Sequence, residues 1–144
     1  MTTGVTAGTL DALAASAQFY LRTGNSPAGV WRYVASALLG PAARSGGNGT
    51  VVIGLPMHYG IALGWTLVFF VAASRWRQLR GNPWVIGALY GVFVWAMMRR
   101  VLVPLTGIGP RGAFYAVQAA TEALILVVCI GMPIAIGARR VFAR

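Results

Sequence analysis

Lysine is absent from this chain, and acids nearly so: twelve arginines face two carboxylates, Asp11 and Glu122, and the net charge is +10 over 144 residues. Charged residues make up 10% of the sequence, against roughly 25% in soluble domains. So few charges exclude a water-facing shell around a core drawn from a chain that is 58% hydrophobic. One cysteine, Cys129, excludes an intramolecular disulfide and an all-cysteine metal site. In its apolar run it reads as a small buried hydrophobe. One histidine, His58, excludes a bis-histidine haem within the chain, and the lack of a C-x-x-C-H run excludes covalent c-type haem. No glycine-rich loop leads into a lysine, and no H-E-x-x-H or G-x-S-x-G occurs. Nucleotide hydrolysis and peptidase or esterase chemistry therefore have no carrier, and the reading leans away from an enzyme. No basic residue precedes Arg22 and Asp11 interrupts the first apolar stretch, so no cleaved signal peptide is expected.

What the chain has is long apolar runs, with a mean hydropathy of +0.70. The stretch over 51–74 (VVIGLPMHYGIALGWTLVFFVAAS) holds no Asp, Glu, Lys or Arg. It is long enough for a transmembrane helix, which needs about 20 residues. The runs lack the alternation of a barrel strand, and backbone groups in lipid must be satisfied internally. The expected fold is all-α: a polytopic membrane helix bundle with four transmembrane helices over about 3–21, 51–74, 84–105 and 113–137, forming one integral membrane domain over 1–144.

The first connection carries its own element. Ser26 is a candidate N-cap with Pro27 at the first helical position, and Gly40 with Pro41 marks the stop. Over about 27–39, Val30, Trp31, Val34 and Leu38 fall on one face, Arg32 and Ser36 on another. An amphipathic helix in the membrane interface is expected, with a shallow re-entrant segment as the alternative. Gly81, Asn82 and Pro83 form a turn, residues 107–112 a loop containing Pro110 and Arg111, and Pro133 allows a kink in the last span.

The arginines sit mainly at the ends of these runs, which fits membrane anchoring and not nucleic-acid binding. Arg75, Trp76, Arg77 and Arg80 form a basic and aromatic anchor for anionic headgroups. With four spans they share one side with Arg139, Arg140 and Arg144, opposite Arg22, Arg32, Arg44 and Arg111. The denser group places both termini in the cytoplasm.

Small residues recur at four-residue spacing: Gly4 and Gly8, Gly60 and Gly64, Gly87 and Gly91, Gly131 and Ala135. Close helix packing within the bundle is the favoured reading, and homodimerisation the alternative.

Ionisable residues within spans are functional candidates by default. His58, two residues after Pro56, reads first as a hydrogen-bonded interhelical residue, then as a proton relay. Axial ligation of haem or a chlorophyll-type pigment is the remaining reading. Glu122 shares a helical stripe with Tyr115, Gln118 and Cys129, a polar or pore-like face, and reads first as the counter-charge of Arg99 or Arg100. At about 1.5 Å per residue, Asp11, His58, Arg99 and Glu122 lie roughly 9–15 Å from the same, non-cytoplasmic, ends of their helices. One polar cluster of Asp11, His58, Glu122 and Arg99 or Arg100 is expected. Adjacent helical residues point about 100° apart, so one arginine pairs inward while the other snorkels to the headgroups.

The segments GTLD (8–11), ASALLG (35–40), the His58 span, Tyr90 with Gly91, VPLT (103–106) and GMPIA (131–135) together resemble small uncharacterised bacterial inner-membrane proteins, with a more distant likeness to the YagU-like group. The likeness covers most of the chain through short motifs. It implies a multi-pass protein of the bacterial inner membrane. Such proteins often carry a histidine before the G-x-P segment of the last span, where this chain has Leu124, Ile125 and Leu126, so the resemblance implies a location and no mechanism. The expected role is a non-enzymatic accessory or structural component of a membrane assembly, as a homo-oligomer or within a larger complex. A small transporter or proton-conducting protein is the alternative, and a pigment- or haem-binding subunit the further one.

Overall fold

The apolar runs fold as helices in a computed structural model that describes residues 2–106, 108 and 115–142. In order they are α1 (Thr2–Thr23), α2 (Ala28–Leu39), α3 (Asn48–Arg75), α4 (Pro83–Leu105) and α5 (Ala116–Phe142). Short 3-10 turns follow α2 (Pro41–Ser45) and α3 (Arg77–Arg80). The described residues hold no strand. Pro110, Arg111, Ala113 and Arg144, which entered the expected loop, last span and charge pattern, lie outside the described residues.

Helices α3, α4 and α5 are long and apolar enough to cross a membrane. Their outer faces expose Val52, Leu67, Leu89, Val92, Leu124 and Val128, a surface suited to lipid and too extensive for water. Helix α1, over the expected first span, has 22 residues and does not join that set of three.

Neighbouring helices run antiparallel, and glycines set how closely. On α1, Gly8 lies against Tyr59 and Ala62 of α3, and Gly4 against Leu63 and Thr66. The other side of α1 runs along α5, where Thr3 meets Gly137 and Arg22 meets Gln118. Between α4 and α5 the contact is backbone on backbone. A Cβ on Gly87 would sit 2.8 Å from the Met132 Cα, and one on Gly91 would enter the Val127 backbone. The Gly4/Gly8, Gly87/Gly91 and Gly131/Ala135 pairs therefore pack inside the bundle. Gly60 and Gly64 do not: a Cβ on either would meet nothing within 4 Å. They lie on the opposite face of α3 from Ala62 and Phe69, which enter the core.

Helix α2 begins and ends where its residues require. The Ser26 Oγ accepts from the Ala28 N–H at 3.4 Å, Pro27 has helical torsions, and Gly40 closes the helix at φ +80°, a conformation that glycine adopts without strain. Its rotation departs from the amphipathic expectation. Ser36, placed on the polar face, is fully buried, whereas Leu38, placed on the apolar face, is 71% exposed. Docking decides this. Gly54 of α3 receives the α2 backbone directly at Trp31, and the Ser36 hydroxyl is satisfied within α2 by donating to the Tyr33 carbonyl at 2.7 Å, so its burial leaves no orphaned group.

Two π turns interrupt the long helices, Met98–Leu102 in α4 and Val127–Gly131 in α5. Each ends two residues before a proline, Pro104 and Pro133 respectively. Proline supplies no N–H to the carbonyl four residues back and crowds it. The widened turn accommodates that carbonyl, where a simple kink was expected at Pro133.

The bundle is packed unevenly along its length. In the half holding the start of α1 and the end of α3, Phe69, Ala73, Val94, Ile134 and Ala138 form an apolar core. Arg80 seals this end: it donates to the Ala73 and Ser74 carbonyls at 2.7 and 2.9 Å, and its guanidinium lies 4.4 Å from the Phe142 ring centre.

Candidate functional site

Bordering this core, α3 and α4 meet through aromatic side chains and not through backbone. The Tyr90 hydroxyl donates to the Trp65 carbonyl at 2.6 Å, and Tyr90 and Phe93 pack edge-on against Phe69 and Trp65. Beyond these rings the helices leave a cavity of about 940 Å³, walled by all five helices. Asp11 (α1), His58 (α3), Arg99 (α4) and Gln118 and Glu122 (α5) line it, with Tyr115 at the start of α5. Arg100 is exposed and turns away.

The polar residues form two groups. In the first, the His58 Nε2 lies 3.0 Å from the Gly8 carbonyl oxygen. A carbonyl only accepts, so Nε2 carries the proton and donates. Gly8 makes this bond reachable, because its lack of a side chain brings α1 against Tyr59 and Ala62. Trp31 and Tyr59 hold the imidazole edge-on, at centroid distances of 5.4 and 5.7 Å. The Asp11 Oδ2 is 3.8 Å from the same Nε2, beyond hydrogen-bond range, so this contact is ionic only when the imidazole is protonated.

In the second group, the Arg99 Nη1 donates to the Glu122 Oε2 at 3.1 Å, and the Gln118 Nε2 donates to Oε1 at 2.9 Å. The Arg22 Nη2 donates in turn to the Gln118 Oε1 at 3.1 Å. One chain of hydrogen bonds thus joins α1, α5 and α4. The Arg99 and Glu122 side chains are 9% and 17% exposed, a setting in which attraction between opposite charges is strong and the loss of one partner expensive.

Glu122 and Gln118 keep the four-residue relation read from the sequence. Cys129, placed on the same stripe by a seven-residue offset, does not line the cavity. It lies in the π turn Val127–Gly131, which breaks the 3.6-residue period on which the offset relies. Sequence reasoning missed Arg22, Tyr33 and Trp95, which also line the cavity. Trp95 was within reach, four residues before Arg99 and hence on its face. Its indole nitrogen is buried without a hydrogen-bond partner among the described residues. Arg22 had no local signal, because only the docking of α1 on α5 brings it to Gln118.

Among the described residues, no three His, Cys, Asp or Glu side chains converge as a metal site. Axial ligation through the His58 Nε2 would require its bond to Gly8 to break. The arrangement suits holding a molecule with an apolar body and a polar end: the floor is apolar, with Ile61, Met98, Leu126 and Ile130, and the hydrogen-bonding groups are confined to parts of the wall. Comparison with protein-family models, with curated proteins and with solved structures finds no match.

Proposed function

We propose that the chain is a four-span protein of a bacterial inner membrane, with both termini cytoplasmic, that binds an amphiphilic small molecule in the cavity beside α3 and α4. The observation that carries this reading is the convergence of the ionisable side chains of four helices on one cavity. Sites for small ligands measure about 300–1,000 Å³ and combine mostly apolar walls with a few placed polar groups. Intramembrane ionisable residues are kept where they serve a purpose.

A span for α1 is supported by its place between α3 and α5 and by its 22 residues, about 33 Å of helix. His58 beside Asp11 supplies the shelter that an acid in a span needs. The cytoplasmic side follows from Arg75, Arg77, Arg80, Arg139 and Arg140 at the closed end, and the bacterial inner membrane from the resemblance of the sequence. Conduction has weaker support, because the polar lining gives way at Ala62, Val94 and Ile130 to the apolar core. One observation favours the accessory role as a second reading: the open face at Gly60 and Gly64 is of the kind on which another membrane helix packs.

Purification in mild detergent followed by native mass spectrometry separates the two. The expected result is a non-protein amphiphile retained in stoichiometric amount and displaced by Ala37→Trp, a substitution on the cavity wall. A stoichiometric protein partner with no retained amphiphile would replace the binding role by the accessory one.

A further inference from the structure

The charges around the cavity are unevenly matched. Its two acids, the only ones in the chain, lie away from Arg22 and Arg44: Asp11 is beside His58, and Glu122 receives Arg99 and Gln118. The arginines at the outer end have neutral acceptors. Arg22 donates to the Gln118 amide oxygen. Arg44 donates to the Ile108 carbonyl at 2.9 Å and stacks over Tyr33, and both of these residues line the cavity. Among the described residues neither arginine has a carboxylate within 4 Å. Both are exposed; Arg22 itself lines the cavity, and Arg44 reaches it through Ile108 and Tyr33.

We infer that the ligand is an anionic amphiphile: a carboxylate or phosphate headgroup held at the rim by Arg22 and Arg44, with a long hydrocarbon chain running inward past Met98 and Trp65. The inference rests on the cavity being a binding site and adds the sign and position of the ligand's charge. Guanidinium groups bind both oxyanions through paired, charge-assisted hydrogen bonds. An arginine already bonded to a neutral oxygen keeps donors for this, since each guanidinium has five N–H groups. A neutral headgroup leaves the rim charge uncompensated, and a cationic one is repelled. The same chemistry is offered by a free fatty acid and by an anionic membrane lipid.

The test uses the full chain in phosphatidylcholine nanodiscs with three brominated probes: dibromostearate, a phosphatidic acid with a brominated chain, and a brominated monoacylglycerol. Quenching is read from Trp95 alone or from Trp84 alone, the other four tryptophans being replaced by Phe. Trp95 lines the cavity, whereas Trp84 is exposed at the closed end. The expected result is quenching of Trp95 by an anionic probe at a concentration about tenfold or more below that of the monoacylglycerol, as loss of charge-assisted bonds implies. The double variant Arg22→Gln/Arg44→Gln brings the anionic midpoint to that of the monoacylglycerol, and Arg22→Lys/Arg44→Lys keeps most of the preference. Preference for dibromostearate or for the phosphatidic acid tells a free acid from a membrane lipid. Equal midpoints for charged and neutral probes overturn the anionic assignment and leave the cavity a binding site. No quenching of Trp95 by any probe overturns both. Equal quenching of Trp84 and Trp95 shows a lipid annulus only and overturns the inference. Native mass spectrometry of the unsubstituted chain with the same probes gives the same discrimination if the tryptophan variants fold poorly.

Discussion

At the residue scale, the Arg99–Glu122 pair is the most consequential contact. Its two side chains are largely buried, and Glu122 also receives Gln118, so removing one charge takes from the other a charged partner in a setting poor in water. Breaking a buried pair costs about 3–5 kcal/mol. Glu122→Gln is expected to lower the unfolding free energy in detergent by an amount of that order, seen as a lower thermal midpoint. Adding Arg99→Met should recover part of the loss, because the double variant removes both charges of the pair together. Stabilities of the single variants that simply add in the double variant would show that the two residues are uncoupled. His58 differs in kind. Its Nε2–H is held by a backbone carbonyl, so its orientation does not depend on the charge of Asp11.

At the element scale, the helices are held by a few backbone contacts that tolerate no side chain. Gly91 faces the Val127 backbone and Gly54 the Trp31 carbonyl, whereas Gly60 has open space. Gly91→Ala is expected to destabilise the folded bundle by about 1–3 kcal/mol, the usual range for overpacking. Gly60→Ala should stay within about 0.5 kcal/mol of the parent. Chemical or thermal denaturation in detergent measures both, and equal losses would contradict the packing described. The same zone contains the π turns. The π turn of α4 holds both arginines, Arg99 lining the cavity and Arg100 exposed.

At the scale of the whole molecule, the bundle is filled at one end and hollow towards the other. The end rich in arginine is closed by Phe69, Ile134 and the bonds from Arg80 to α3, and the opposite half holds the cavity. Gly46, between α2 and α3, and Gln78, between α3 and α4, lie at opposite ends of α3. Single cysteines introduced there in a Cys129→Ala background should label from opposite membrane faces, Gln78→Cys from the cytoplasm. Labelling of both from one side would contradict a membrane-spanning α3, and labelling of Gln78→Cys from outside would invert the protein.

The sequence by itself determined where the helices lie and where several of them stop. Apolar length, Gly40 with Pro41 and Gly81 to Pro83 act locally, and solvation of a helix by lipid depends on its own composition. It also brought Asp11 level with His58 and Arg99 level with Glu122, two pairs that meet in the structure, since relative depth follows from counting residues along antiparallel helices. Only the tertiary structure decided which of the four small-residue pairs mesh, which arginine turns inward and how α2 is rotated. Gly60 and Gly64 look no different in sequence from Gly87 and Gly91, yet one pair meets open space and the other a backbone. Ser36 is buried because α2 docks at Gly54, a residue outside any reading of α2 alone. The cavity belongs to the same class of facts. It is space left where α3 and α4 are held apart by rings from both helices, and such space is a property of helix pairs, which no periodicity within one helix encodes.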